Sequence, residues 1–233
     1  ADIQAAGLTG ITAGSNVTLT GGATDLVSSY YGGLLESTTH FLRNASAAMI
    51  RGNVATSHTM TLDIDGNLVL NGGSGNGGIA FIGNWKGPVE LSASVGGSAT
   101  LTGNAGGASI GSGVSATTGG NMNYVDLLVA GALTLNGGSN TAYGNAAIGS
   151  RYDAVDLAIV ANNLQMSAAS GGDARIGTTY GGTSAVAVTT AGNIALTSGS
   201  SGGSTRIGIG TGMGSVSLLS SGGDISTSAG SVI

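Results

Sequence analysis

Three short apolar motifs recur in fixed order about every 30 residues through most of this 233-residue chain. The first is a small or polar residue, then Asn, then alternating aliphatics: Ser15–Leu19, Gly66–Leu70, Asn162–Met166 and Gly192–Leu196, with Ser98–Leu101 and Ala132–Leu135 between them. Its closing residues Leu70, Leu101, Leu135, Met166 and Leu196 are spaced by 31, 34, 31 and 30. The second motif gives Leu62, Leu91, Leu127, Leu157, Val188 and Leu218 as equivalents, spaced by 29, 36, 30, 31 and 30. The third places Ile50, Ile82, Ile110, Ile148, Ile176 and Ile207 after a small residue. Three series sharing one period mark a repeat architecture.

Each motif alternates with period two over three to six residues, which reads as a short strand. Gly-rich segments such as Asn71–Gly78 separate the strands. Three strands per constant-length unit predict an all-β, parallel β-helix (β-solenoid) of about seven three-stranded rungs. Rungs rising about 4.8 Å each would make a rod roughly 34 Å tall. An antiparallel sandwich explains the alternation but not the three-motif period. Residues 1–233 therefore form one domain, with an inserted loop at 22–47.

Composition closes other routes. There are 46 Gly, one Pro, no Cys and two His, so collagen, disulfide scaffolds and Cys-based zinc sites are excluded. Six Lys+Arg against eleven Asp+Glu give a net charge of −5, the wrong sign for nucleic acid. No apolar run reaches the length of a transmembrane helix, so no membrane insertion is expected. A chain starting at Ala1 rather than Met reads as a processed or excised piece.

Asn16, Asn67, Asn163 and Asn193 each precede a strand-closing aliphatic by three residues. Asn tolerates the left-handed conformation of a tight corner, and stacked Asn side chains can form an amide ladder. These four are expected to be structural.

The strings at Gly66–Gly78, Gly131–Ser139, Gly192–Gly203 and Gly222–Thr227 resemble the repeats of filamentous-haemagglutinin-like exoproteins, the large adhesins of bacterial two-partner secretion. The resemblance runs from about Leu8 to the end, apart from Gly22–Ala47. It implies a right-handed β-helical shaft exported across the outer membrane.

With 7% charged residues, the candidates for function are few. Glu90, Asp126 and Asp156 occupy the same place in the second motif of successive rungs, predicting an outward acidic column. At rung spacing, neighbouring carboxylates would repel by roughly 1 kcal/mol. Such spacing could also serve paired-carboxylate glycoside chemistry. Arg175 and Arg206 precede the Ile of the third motif, predicting an outward basic stripe fit for anions. Arg51 and Arg151 lie near the same strand in other rungs. The insertion carries Tyr30, Tyr31, His40, Phe41 and Arg43, candidate binding residues because solenoids display function on insertions. Trp85 is a further candidate for loop packing or ligand stacking.

No nucleophile elbow, phosphate loop or calcium repeat is present, so no catalytic residue, metal ligand or cofactor is assigned. The expected role is a non-enzymatic structural and adhesive rod module, extracellular or at a bacterial cell surface, whose partner is a receptor or glycan. Two alternatives stay open. One is a filament subunit stacking end to end with further copies, since the sequence stops within a rung at Ser231–Ile233. The other is a carbohydrate-active β-helix enzyme built on the carboxylates.

Overall fold

The computed structural model describes residues 2–5, 9–22, 47–52, 54, 56–75, 78–112, 122–140, 144–168, 171–199 and 202–233. Every strand pairing is parallel, and the described residues contain no helix. The third motif builds one sheet from β1 (Asp2–Ala5), β4 (Ala48–Gly52), β7 (Ala80–Asn84), β10 (Ala108–Ser112), β12 (Ala146–Ser150), β14 (Ala174–Thr178), β17 (Thr205–Ile209) and β20 (Ser231–Val232). The second motif stacks β2 (Thr9–Ala13), β5 (His58–Ile64), β8 (Val89–Val95), the first part of β11 (Met122–Asn136), the first part of β13 (Ala154–Ser167), β15 (Ser184–Thr190) and β18 (Gly214–Ser220). The first motif stacks β3 (Val17–Thr20), β6 (Leu68–Asn71), β9 (Ala99–Thr102), the ends of β11 and β13, β16 (Ile194–Thr197) and β19 (Ile225–Thr227).

This is a parallel β-solenoid. Five turns separate Ile50 from Ile207 in unbroken register, a mean of about 31 residues per turn. Partial coils at both ends add to these five, where the repeats predict about seven rungs. Leu19, Leu70, Leu101, Leu135, Met166 and Leu196 form one column, as the first motif predicts. Strict alternation in β5 and β8 turns every second side chain into a single continuous core of Leu, Ile, Val, Met and Ala. Each fully buried aliphatic adds about 1.5–3 kcal/mol of stabilisation.

The second motif is out of step with its sequence alignment. Met60, not Leu62, opposes Leu91, and Val125, not Leu127, follows Leu91 in the next rung. Leu62, Ala93, Leu127, Ile159, Val188 and Leu218 make up the neighbouring column. The cause is a buried Asn. Asn123, second in its strand, stands opposite Val155, and its Oδ1 accepts the Val89 amide at 3.0 Å, so Asn123 takes the place that Val89 and Val155 hold in their rungs, two residues before Val125. A β-bulge between Val129 and Ala132 then absorbs one extra residue relative to β13.

The glycines do more than mark corners. Gly83, Gly111, Gly149, Gly177 and Gly208 form a column inside the first sheet, with φ between 119° and 145°. A Cβ on any of the first four would run into the carbonyl oxygen of the next glycine in the column. Only Gly meets both conditions.

A second apolar cluster lies outside the main core. Met49 and Phe81 are neighbours on the outward column of the first sheet, yet each is 1% exposed, grouped with Ile79, Ala47 and Trp85.

Candidate functional site

The four corner asparagines act differently from a side-chain amide ladder. The corner column runs Asn16, Asn67, Ser98, Ala132, Asn163, Asn193, Asp224, each just before the register partners that open the third stack. In Asn16, Asn67, Ser98, Asn163 and Asn193 the side-chain oxygen accepts the backbone N–H of the same position one rung on. Asn16 takes Asn67 N at 2.7 Å, Asn67 takes Ser98 N at 2.8 Å, and Ser98 Oγ takes Ala132 N at 3.2 Å. After Ala132 the relay restarts, with Asn163 taking Asn193 N and Asn193 taking Asp224 N, both at 2.8 Å. None of these residues has positive φ, which among described non-glycine residues belongs to Asn104 alone. The left-handed conformation expected of them is therefore absent. Asn is selected because its short side chain satisfies a corner amide that no strand partner reaches.

This relay explains a glycine pattern. The residue before each relay member is Gly66, Gly97, Gly131, Gly192 or Gly223 wherever the rung below supplies a side-chain oxygen. A Cβ on any of the five would lie on that oxygen, well inside van der Waals contact. Asn162 is the exception, and beneath its rung stands Ala132, which has no oxygen to offer.

The three acids point outward and are exposed, but they do not form one column. The columns run Thr59–Glu90–Tyr124–Asp156 and Thr61–Ser92–Asp126–Ala158. The two-residue offset caused by Asn123 moves Asp126 sideways and puts Tyr124 between Glu90 and Asp156. No two of these carboxylates stack on adjacent rungs of one column, so the expected direct repulsion does not arise. They line an open groove of about 350 Å³, floored by Met60, Leu91 and Val125. Thr59 Oγ1 donates to Glu90 Oε2 at 3.1 Å, and Tyr124 is 46% exposed. Among the described residues no three His, Asp or Glu side chains are grouped to hold a metal ion.

Arg175 and Arg206 are register partners on β14 and β17. Their column continues backward through Ala147, Ser109 and Phe81 to Met49, so it is apolar at one end and cationic at the other. Arg51 does not share it; it is buried opposite Gly83. Arg175 is half-buried, with Nη1 donating to Thr179 Oγ1 at 2.6 Å. Its Nε is buried with no hydrogen-bond partner. Burial first, then the nearby Arg151 and Arg206, bring its pKa down to about 10, with Asp173 opposing. Asp173 is already engaged, because its Oδ1 accepts both Ser204 N and Ser204 Oγ at 2.9 Å.

Two tyrosines missed in the sequence complete this corner. Tyr152 and Tyr180 stack with centroids 5.7 Å apart and planes 19° apart, and the Arg151 guanidinium lies 5.4 Å from the Tyr152 ring centre. Their 28-residue separation is close to the repeat, which was the available signal. Also missed is Asp153, which is 1% exposed with neither carboxylate oxygen in hydrogen-bond geometry. Burial raises its pKa above the ordinary carboxyl value, and the Asn123 amide opposes this in part.

Trp85 stands half-buried, its ring edge-on to Phe81 at 5.2 Å and 88°, as part of the second apolar cluster. Tyr30, Tyr31, His40, Phe41 and Arg43 lie outside the described residues. No helix among the described residues is long and apolar enough to cross a membrane. No family model, curated protein or solved structure matches the chain.

Proposed function

We propose that this chain is a shaft segment of a filamentous-haemagglutinin-like bacterial exoprotein, secreted or at the cell surface, without catalytic activity of its own. It serves as a rigid rod that presents charged outer faces for attachment. The observation that carries this reading is the division of labour in the repeat. The inside is one continuous apolar core, while the acidic groove and the Arg–Tyr corner lie on the outside of the rungs. A periodic scaffold of this kind fixes the spacing of displayed groups along its axis.

The test is attachment. Beads coated with the purified chain should be retained on glycan-coated surfaces beyond uncoated beads, and raised salt should release them. In cells that make the parent protein, an antibody to this segment should label intact bacteria or the medium. Retention on no surface, together with purely intracellular labelling, would overturn the reading.

A further inference from the structure

We propose that the corner formed by Arg151, Tyr152, Arg175, Tyr180 and Arg206 is a binding track for a polyuronate, a linear polysaccharide with a carboxylate on each sugar. The proposal rests on the display reading above and names its ligand class.

Charge is the first observation. A chain of net charge −5 places three of its six Lys and Arg residues together. Arg175 and Arg206 are directly stacked, at a rung spacing of about 4.8 Å. Arg151 leaves the corner one rung earlier and is close enough to act on Arg175. Asp173, the acid that acts on Arg175, is occupied by Ser204. Three cations against Asp173 leave an excess of positive charge at the corner, which favours an external anion.

Preorganisation is the second. Thr179 Oγ1 holds Arg175 Nη1, and Arg206 Nη1 reaches the same segment, over a glycine at 210 whose Cβ would stand 2.8 Å from that nitrogen. Thr179 therefore holds the Arg175 guanidinium, and the Arg206 guanidinium lies beside the same segment. A guanidinium binds carboxylate through two parallel N–H donors, which Arg206 can present, while Arg175, with Nη1 on Thr179 and Nε buried, adds positive charge beside it.

Shape is the third. Tyr152 and Tyr180 supply one ring on each of two successive rungs, and Tyr180 is 55% exposed. The backbone ties the two corners together, with Tyr180 N donating to Arg151 O at 2.9 Å. The two rings cover each other's facing sides, and the remainder of Tyr180 is exposed beside the cations. A polymer that carries both carboxylates and apolar sugar faces offers a partner to each. A nucleic acid also offers stacking and charge, but the net charge and the acidic groove oppose its dense phosphates.

Polygalacturonate is the probe, with fully methyl-esterified polygalacturonate as the uncharged backbone, polyglutamate as charge without sugar, and a single-stranded oligonucleotide as the competing polyanion. The intact chain should bind polygalacturonate in a salt-dependent manner and prefer it to the other three. Arg206→Gln and Tyr180→Ala should each weaken binding about tenfold, and Arg206→Lys should fall between. Lys86→Gln, away from the corner, should bind like the parent chain. Circular dichroism and melting confirm the fold of each variant; should Arg206→Gln fail to fold, exposed Tyr180→Ala decides. No binding to polygalacturonate, equal binding of polyglutamate, preference for the oligonucleotide, or insensitivity to Arg206→Gln and Tyr180→Ala would each overturn the assignment. Bead attachment that persists without polygalacturonate binding would sink this ligand and leave the display reading standing.

Discussion

Gly192→Ala tests the corner relay where it is cleanest. The backbone at Gly192 lies outside the left-handed region, so Ala brings no dihedral penalty there. Its new methyl would, however, land on Asn163 Oδ1; the next nearest atoms are Asn162 O and Asn163 Cγ, both at 3.2 Å. Overpacking of this kind costs about 1–3 kcal/mol. Asn163→Ala alone removes the 2.8 Å bond to Asn193 N at a half-exposed corner, worth about 0.5–1 kcal/mol. In the double variant the obstruction and the bond are gone together. Gly192→Ala should then be neutral, or stabilising by up to about 1 kcal/mol because Ala has less backbone freedom to lose. The predicted coupling is thus about 2 kcal/mol in favour of the pair. The assay is a double-mutant cycle by thermal melting, where each kcal/mol shifts the midpoint by about 2–4 °C in a chain of this size. Equal destabilisation by Gly192→Ala with and without Asn163 would refute the reasoning, since the clash would then lie with something other than the relay.

Gly177→Ala should be far worse, because φ is +122° and the added methyl would meet the Gly208 carbonyl oxygen; a loss of about 3 kcal/mol or more is expected by melting. Asp153→Asn should stabilise the chain at neutral pH by about 1–2 kcal/mol, because it removes the buried charge while leaving a neutral polar group of the same shape. Because burial raises the Asp153 pKa, the parent's penalty is present above the raised folded value and fades as pH falls towards the ordinary carboxyl value. The variant should lack that rise in melting temperature on mild acidification. Phe81→Ala should cost about 3–4 kcal/mol despite its outward column, since Phe81 is 1% exposed in the second apolar cluster; a shift of a few tenths would show that cluster to be dispensable.

The parts of the fold visible in the sequence were those built from large aliphatics in invariant places. The Leu column of the first motif and the Ile column of the third are found residue by residue in the register. The second motif slipped because its strands open on polar residues. His58 and Asn123 are buried where an alignment guided by apolar residues takes Val89 and Val155 as the start. That slip alone displaced Asp126 from its expected column. The asparagine relay and its glycines involve two rungs at once, so no single repeat displays the rule. Arg175 and Arg206 could be placed from one motif, but the tyrosines beside them come from corners, where repeat length varies and alignment is weakest. Phe81 and Met49 read as outward positions and are covered, which alternation within a strand cannot reveal.

The corner relay also bears on how such a rod can lengthen. A rung that opens with Gly-Asn donates its corner N–H to the oxygen below it and offers an oxygen to the rung above, so copies of it can follow one another without limit. The rung opening with Asn162-Asn163 cannot be copied in this way, because Asn162 fits only above a residue with no side-chain oxygen, as Ala132 is. Its place is fixed by its neighbour. Duplication of the Gly-Asn rungs would extend the shaft with every corner amide satisfied, whereas duplication of the other would set two side chains in one space. The order of the rungs is therefore a constraint written between repeats, and the joint at Ala132 is where that grammar changes.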